Sequence, residues 1–344
     1  MTISEERTQD LPRDLALIAL GIKVGLFVVF TGYGVLHSRA NGGGLRSVYT
    51  SAMFLIPLIS RVLGNWALAV VLIWSLARNV LDKNAATQQL NTQTVKNVFA
   101  AVYGVLSCGY SFGLSVFYPR LISSMYASSN AGWARLVSSG IALLEMPTVV
   151  LIALAAFWIA IHVGRGDHTA MHPGVVSSST TSSPRLAVTL LCAVFFASIQ
   201  IWLTNFYAGF LQGLFALWSV EVIPLTLLWI VGPLVMGVLV ALGTWFGVSC
   251  PVQVRPFRAL AATLLVMVLN PVVFLLLALV WVLCAYGLSS SFSDISLFAR
   301  TVAAALYFVL QVLLMFGVTH WFYRSLQAED PNSGSGGVAW PSSS

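Results

Sequence analysis

Eight long apolar stretches decide what this chain can fold into. They run roughly over Leu15–His37, Thr50–Ala77, Val95–Tyr118, Leu136–Val163, Leu186–Gly209, Val222–Val248, Ala259–Gly287 and Leu297–Tyr323. A helix rises about 1.5 Å per residue, so about 20 apolar residues cross a hydrocarbon core of about 30 Å. Every stretch meets that length. Of the 344 residues 58% are hydrophobic and 8% charged, whereas a soluble domain carries about 25% charged residues. So few polar side chains cannot wet the outside of a soluble core of this size. A soluble globular enzyme, a disordered chain and a nucleic-acid-binding module are thereby excluded. The predicted fold is all-α, a polytopic integral membrane bundle of about eight transmembrane helices.

The predicted organisation is one transmembrane domain over 15–323, preceded by a polar segment, 1–14, and followed by a polar tail, 324–344. The linker 164–185 contains the run SSSTTSSP and splits the domain into two halves of four helices, which share no sequence similarity. The second and sixth stretches are long enough to hide a re-entrant piece. The first fourteen residues mix charge signs (Glu5, Glu6, Arg7, Asp10, Arg13, Asp14) and lead into a run of spanning length. That is the pattern of a retained anchor, not of a cleaved signal.

The pI near 9.3 fits basic loops flanking a membrane. Ten Lys and Arg fall on one side of the predicted spans (Arg7, Arg13, Arg78, Lys83, Lys96, Arg165, Arg185, Arg255, Arg258, Arg324), and five on the other (Arg39, Arg46, Arg120, Arg135, Arg300). Positive charge stays in the cytoplasm, so both termini are predicted there. In a eukaryotic cell the endoplasmic reticulum or another endomembrane is the expected site. The expected partners are the bilayer and a hydrophobic small molecule, not nucleic acid.

Several local patterns resemble chemistry without the setting for it. Gly109-Tyr110-Ser111-Phe112-Gly113 matches the G-x-S-x-G nucleophile motif, which works on a strand-to-helix turn. Here it falls inside an apolar helix, where small residues are expected to permit close helix packing. His162, His168 and His172 lie near Asp167, but Gly164, Gly166 and Pro173 deny them the helix that metal-ligand spacing requires. No phosphate-binding loop, dinucleotide turn or zinc-protease motif is present, and no cofactor or metal is expected. Cys108, Cys192, Cys250 and Cys284 are isolated, as packing residues are.

Ionisable groups inside the hydrocarbon cost a few kcal/mol each and mark functional sites. Here they are Lys23, Arg61, Glu145, Glu221, Asp294 and Arg300. Lys23 is expected to snorkel to the cytoplasmic face. Arg61 is expected to pair with a carboxylate or with carbonyls freed by Pro57. Glu145 lies beside Pro147, which removes a backbone donor within the span. Helices broken at Pro57, Pro147, Pro233 and Pro271 are expected. Aromatic side chains within spans, Trp158, Trp202, Phe206 and Trp229 among them, are candidates to line an apolar substrate pocket whose π faces stabilise a cation.

These residues suggest a membrane enzyme acting on an isoprenoid lipid. Glu145 would be the general acid that protonates an epoxide or alkene, and Glu221 or Asp294 would take the final proton. In span number, low charge and the Glu145/Glu221 pair, the chain resembles the small multi-pass terpene cyclases of fungal meroterpenoid pathways. The resemblance is one of architecture, not of motif. It implies metal-free cyclisation of a terpenoid in secondary metabolism, an isomerase or lyase reaction. The alternative is a multi-pass transporter of a small molecule or a proton-coupled substrate, with Lys23, Arg61 and Glu145 on its path.

Overall fold

The computed structural model describes residues 10–40, 52–84, 91–117, 120–121, 124, 131–164, 184–214, 230–248, 255–288 and 297–327. All eight expected helices are there: α1 Leu11–Ala40, α2 Ala52–Asn84, α3 Thr92–Phe112, α4 Ala131–Gly164, α5 Pro184–Leu214, α6 Gly232–Gly247, α7 Pro256–Leu288 and α8 Leu297–Gln327. A π-helical turn, Gly113–Phe117, extends α3. There is no strand among the described residues. Seven of the helices are long and apolar enough to cross a membrane, and α6 is described over 16 residues. Residues 215–229, where a re-entrant piece was suspected, lie outside the described residues.

Helix starts follow backbone chemistry. Proline lacks the N–H that a first turn leaves without a partner anyway, and Pro184 and Pro256 open α5 and α7 while Pro12 and Pro233 sit in the first turns of α1 and α6. Asn91 caps α3 by accepting a hydrogen bond from the Thr94 N–H at 3.1 Å. Three of the expected proline breaks do not occur. α2, α4 and α7 run straight through Pro57, Pro147 and Pro271, and Pro233 sits at a helix start. In a bilayer the helix is the only cheap home for its other backbone groups, so a proline is absorbed and not obeyed.

The first four helices form a ring in which α1 packs on α2 and α3, and α4 packs on α2 and α3. The last four repeat that pattern: α5 packs on α6 and α7, and α8 packs on α6 and α7. Contacts fix the directions. Asp14 meets Lys96, and Lys23 lies over Tyr103, so α1 and α3 run parallel. Gly243 faces Val312–Phe316 and Gly247 faces Phe316–His320, so α6 and α8 also run parallel. Conversely, Asn91 donates to the Gly164 carbonyl at 3.3 Å, joining the start of α3 to the end of α4 in antiparallel fashion. The halves meet chiefly through α2 on α5, where the Ser198 hydroxyl donates to the Gly64 carbonyl at 3.0 Å.

One core runs through both halves, from Leu15, Leu72 and Phe99 through Phe157 and Phe196 to Val240 and Met315. Outside it, large apolar side chains face outward along the helices, such as Val28, Leu151, Val268 and Leu275, each more than 60% exposed. A soluble surface would not tolerate patches of that extent. A lipid-facing one requires them.

Candidate functional site

The polar residues of the first half converge. Glu145 on α4 is buried, and its Oε1 accepts a hydrogen bond from the Asn65 amide at 2.8 Å and lies 3.2 Å from Arg61 Nε. Arg61 and Asn65 are one turn apart on α2, so one helix face presents both donors. Of the two partners expected for Arg61, a carboxylate or carbonyls freed by Pro57, the structure supplies the carboxylate, from α4. The contact is made by Arg61 Nε, and 40% of the side chain remains exposed.

Lys23 departs from expectation. Instead of snorkelling it is buried in the bundle, with Nζ 5.6 Å from the centre of the Tyr103 ring. A cation over an aromatic face recovers part of its lost hydration. Lys23 and Tyr110 both lie within electrostatic reach of Glu145.

Along α3, Tyr103, Ser107 and Tyr110 follow at helical spacing and point into this cluster. None of the three hydroxyls has a hydrogen-bond partner among the described residues. Buried hydroxyls without partners are costly, and the three lie along one polar seam on α3, with Ser107 next to Tyr103. The sequence carried that signal as a polar stripe at i, i+4 and i+7. It was obscured by the neighbouring G-x-S-x-G pattern, whose Ser111 lies in ordinary helix.

Tyr110 also borders a cleft. It opens between α3 and α4, with a volume of about 410 Å³, and is lined by Tyr110, Gly113, Leu114, Phe117, Leu121, Ile141, Leu144 and Thr148. The wall is almost entirely apolar. Leu144 and Phe117 are well exposed at its mouth, so it opens sideways, towards lipid. The glycines beside it do not serve close packing as expected, because a Cβ at Gly109 or Gly113 would meet nothing within 4 Å. Of the two, Gly113 lines the cleft, and its missing side chain leaves space there. The π turn lies on the same wall, and such turns recur at functional sites because they re-aim the side chains around them.

The other candidates that are described lie away from the cleft. Trp158 is exposed on α4 next to Phe157, and Trp202 is half-buried against the core on α5; neither lines the cleft. Phe206 falls in α5, but its side chain lies outside the described residues, as do Glu221, Trp229 and Asp294 entirely. His37 and Arg300 fall within α1 and α8 with side chains outside the described set, and so does the 165–183 segment that holds His168, His172 and Asp167. Among the described residues no three His, Cys, Asp or Glu side chains come together as metal ligands would. In the second half, Gln311 is fully buried and both its amide atoms lack partners among the described residues, while one turn away Tyr307 donates to Asn270 at 2.6 Å.

Fold and site together define a multi-pass integral membrane protein with a polar cluster inside one four-helix half. No protein-family model, no curated protein and no solved structure matches the chain.

Proposed function

We propose that the protein is a membrane-embedded enzyme acting on a lipidic, isoprenoid-type substrate that enters sideways from the bilayer. One observation carries this reading: the apolar cleft between α3 and α4 ends at Tyr110, which lies beside the Arg61–Glu145 pair. Acid–base chemistry is therefore within reach of a site that only a hydrophobic molecule would fill.

The reaction that suits it is acid-initiated cyclisation. Glu145 already accepts from a guanidinium and an amide, so it is set up to receive a proton, not to give the first one. Tyr110 lines the cleft, and its hydroxyl, buried on the side of the polar cluster, turns into the cleft to act as the acid. Its hydroxyl proton passes to an epoxide oxygen, the C–O bond opens, and alkene π electrons close the ring. The resulting cation loses a proton to Glu145, which returns one to Tyr110. Atoms balance, and the product is an isomer of the substrate. Trp158, Trp202, Phe206, Trp229, Glu221 and Asp294 remain open to test by substitution.

A second reading is transport, supported by the helix-pairing pattern that the two halves share. Parallel repeats of this kind are common in carriers. The experiment uses membranes from a yeast host expressing the wild type or Glu145→Gln, incubated with prenylated phenols with and without a terminal epoxide. Mass spectrometry is expected to find an isomer of unchanged mass that the wild type makes and Glu145→Gln does not. No conversion across the panel would overturn the enzyme reading, and uptake into proteoliposomes would then test the carrier.

A further inference from the structure

Two stripes of side chains build the wall of the cleft. Tyr110, Gly113, Leu114 and Phe117 come from α3 and its π turn, and Ile141, Leu144 and Thr148 from α4. The two helices run antiparallel, in the register set where Asn91 and Val95 meet Gly164. Carried along the pair, that register brings Tyr110 level with Thr148, Gly113 with Leu144, and Phe117 with Ile141. Phe117 ends the spanning segment Thr92–Phe117, so this end of the cleft lies at a membrane surface. Tyr110 sits deeper by about 10 Å, at 1.5 Å per residue.

Gly113 stands between the two ends, and neither usual reason for a glycine applies to it. Its backbone angles, φ −54° and ψ −48°, are ordinary helix that any residue adopts. No backbone presses on it either: a Cβ there would meet nothing within 4 Å, whereas at Gly243 and Gly247 it would run into α8. What the missing side chain provides is space on the wall. A leucine level with a leucine would close the gap that Leu144 level with Gly113 leaves open. At the inner end Thr148 donates its hydroxyl to the Leu144 carbonyl at 2.6 Å, so that end receives an apolar chain as readily as the outer one.

We infer that Gly113 is the specificity-determining position of the cleft: it admits the tail of a lipid whose polar end stays at the membrane surface, and it decides whether that tail reaches Tyr110. This rests on the reading of the cleft as a lipid-substrate site and adds to it a selecting residue and a geometry. A tail entering beside Phe117 passes Gly113 on its way to Tyr110. Its reacting carbon therefore lies about 10 Å along the tail from the polar end, and the chain is slim where it crosses Gly113. A bulky side chain at 113 would divide the cleft into an outer part at Phe117 and an inner part at Tyr110. Gly109 supplies the comparison. A Cβ there also meets nothing, on the same helix, but Gly109 is not part of the wall.

The test compares the wild type with Gly113→Ala, Gly113→Leu and Gly109→Leu, each full-length in phosphatidylcholine nanodiscs. The probe is dodecanol with a diazirine at the end of its chain, and peptide mapping reads where it attaches. In the wild type the label is expected near Tyr110 and Thr148. Gly113→Leu should weaken that label roughly tenfold, the ratio that an ordinary overpacking clash produces, and move it outward to Phe117 and Ile141. Gly113→Ala should weaken it by a smaller factor, and this milder variant decides the matter if the leucine disturbs folding. Gly109→Leu should label as the wild type does.

Undiminished inner labelling in both Gly113 variants would overturn the role of Gly113. So would an equal loss in Gly109→Leu, or a wild-type label that stays at Phe117. Turnover of the prenylated phenols separates this from the enzyme reading. Isomer formed by Gly113→Leu at the wild-type rate would overturn the selecting role and leave the enzyme standing. Inner label lost in Gly113→Leu, with no isomer from the wild type, would overturn the enzyme and leave Gly113 as the gate of a lipid-binding cleft.

Discussion

Glu145 and Arg61 illustrate how a charge survives inside a bilayer. Removing one partner of a buried pair leaves the other uncompensated, commonly at about 3–5 kcal/mol; here Arg61 is partly exposed, which lowers that cost. Arg61→Met alone is expected to destabilise the protein by about 1–3 kcal/mol, and Arg61→Met with Glu145→Gln by less, because the double variant holds no stranded carboxylate. Thermal unfolding in detergent of both single variants and the double measures this; a double loss equal to the sum of the two single losses would mean that the pair is not coupled. Gln311 poses the opposite problem. Its buried amide has no partner among the described residues, and an unsatisfied amide costs about 1–3 kcal/mol. Gln311→Met should therefore raise stability by about 1 kcal/mol. A fall in melting temperature would show instead that the amide holds a bound water or ligand.

Helix contacts depend on glycine at particular places. A Cβ on Gly243 would lie 2.6 Å from the Val312 carbonyl oxygen, and one on Gly247 would lie 2.7 Å from that of Phe316. These two positions form a G-x-x-x-G pair that lets the α6 and α8 backbones touch. Gly243→Leu is expected to cost about 2–3 kcal/mol, whereas Gly21→Ala and Gly25→Ala on α1, where a Cβ meets nothing, should be neutral or mildly stabilising. Comparative unfolding of the three variants checks this; a stable Gly243→Leu would rule out the tight α6–α8 contact. The sequence made the helices legible because a run of twenty apolar residues has one cheap conformation in lipid. Which helices touch was not legible. Core and lipid faces are both apolar, so periodicity does not separate them as it does in a soluble protein. Polar residues were the remaining guide, and they led to Glu145 and Arg61. The same guide failed for Lys23, which packs on a ring instead of reaching water, and for the seam on α3, where the G-x-S-x-G pattern drew attention to Ser111 instead of Tyr110. The cleft had no signal of its own, since its walls are ordinary apolar residues and a glycine, Gly113, that adds nothing to fill it.

The two halves share a pairing pattern without sharing a sequence, and each closes into its own ring. A chain cut within 165–183 and expressed as two pieces is therefore expected to reassemble in the membrane, because helices insert first and associate afterwards. Copurification of the pieces from detergent tests it, and pieces that never associate would show that the α2–α5 contact is too weak to hold the halves. The sideways mouth between α3 and α4 bears on kinetics. A molecule reaching Tyr110 by that route never passes through water, so the concentration that governs its capture is its mole fraction in the surrounding lipid. Adding inert phospholipid at constant protein and constant total ligand should slow turnover, and adding buffer should leave it unchanged: dilution would act in two dimensions.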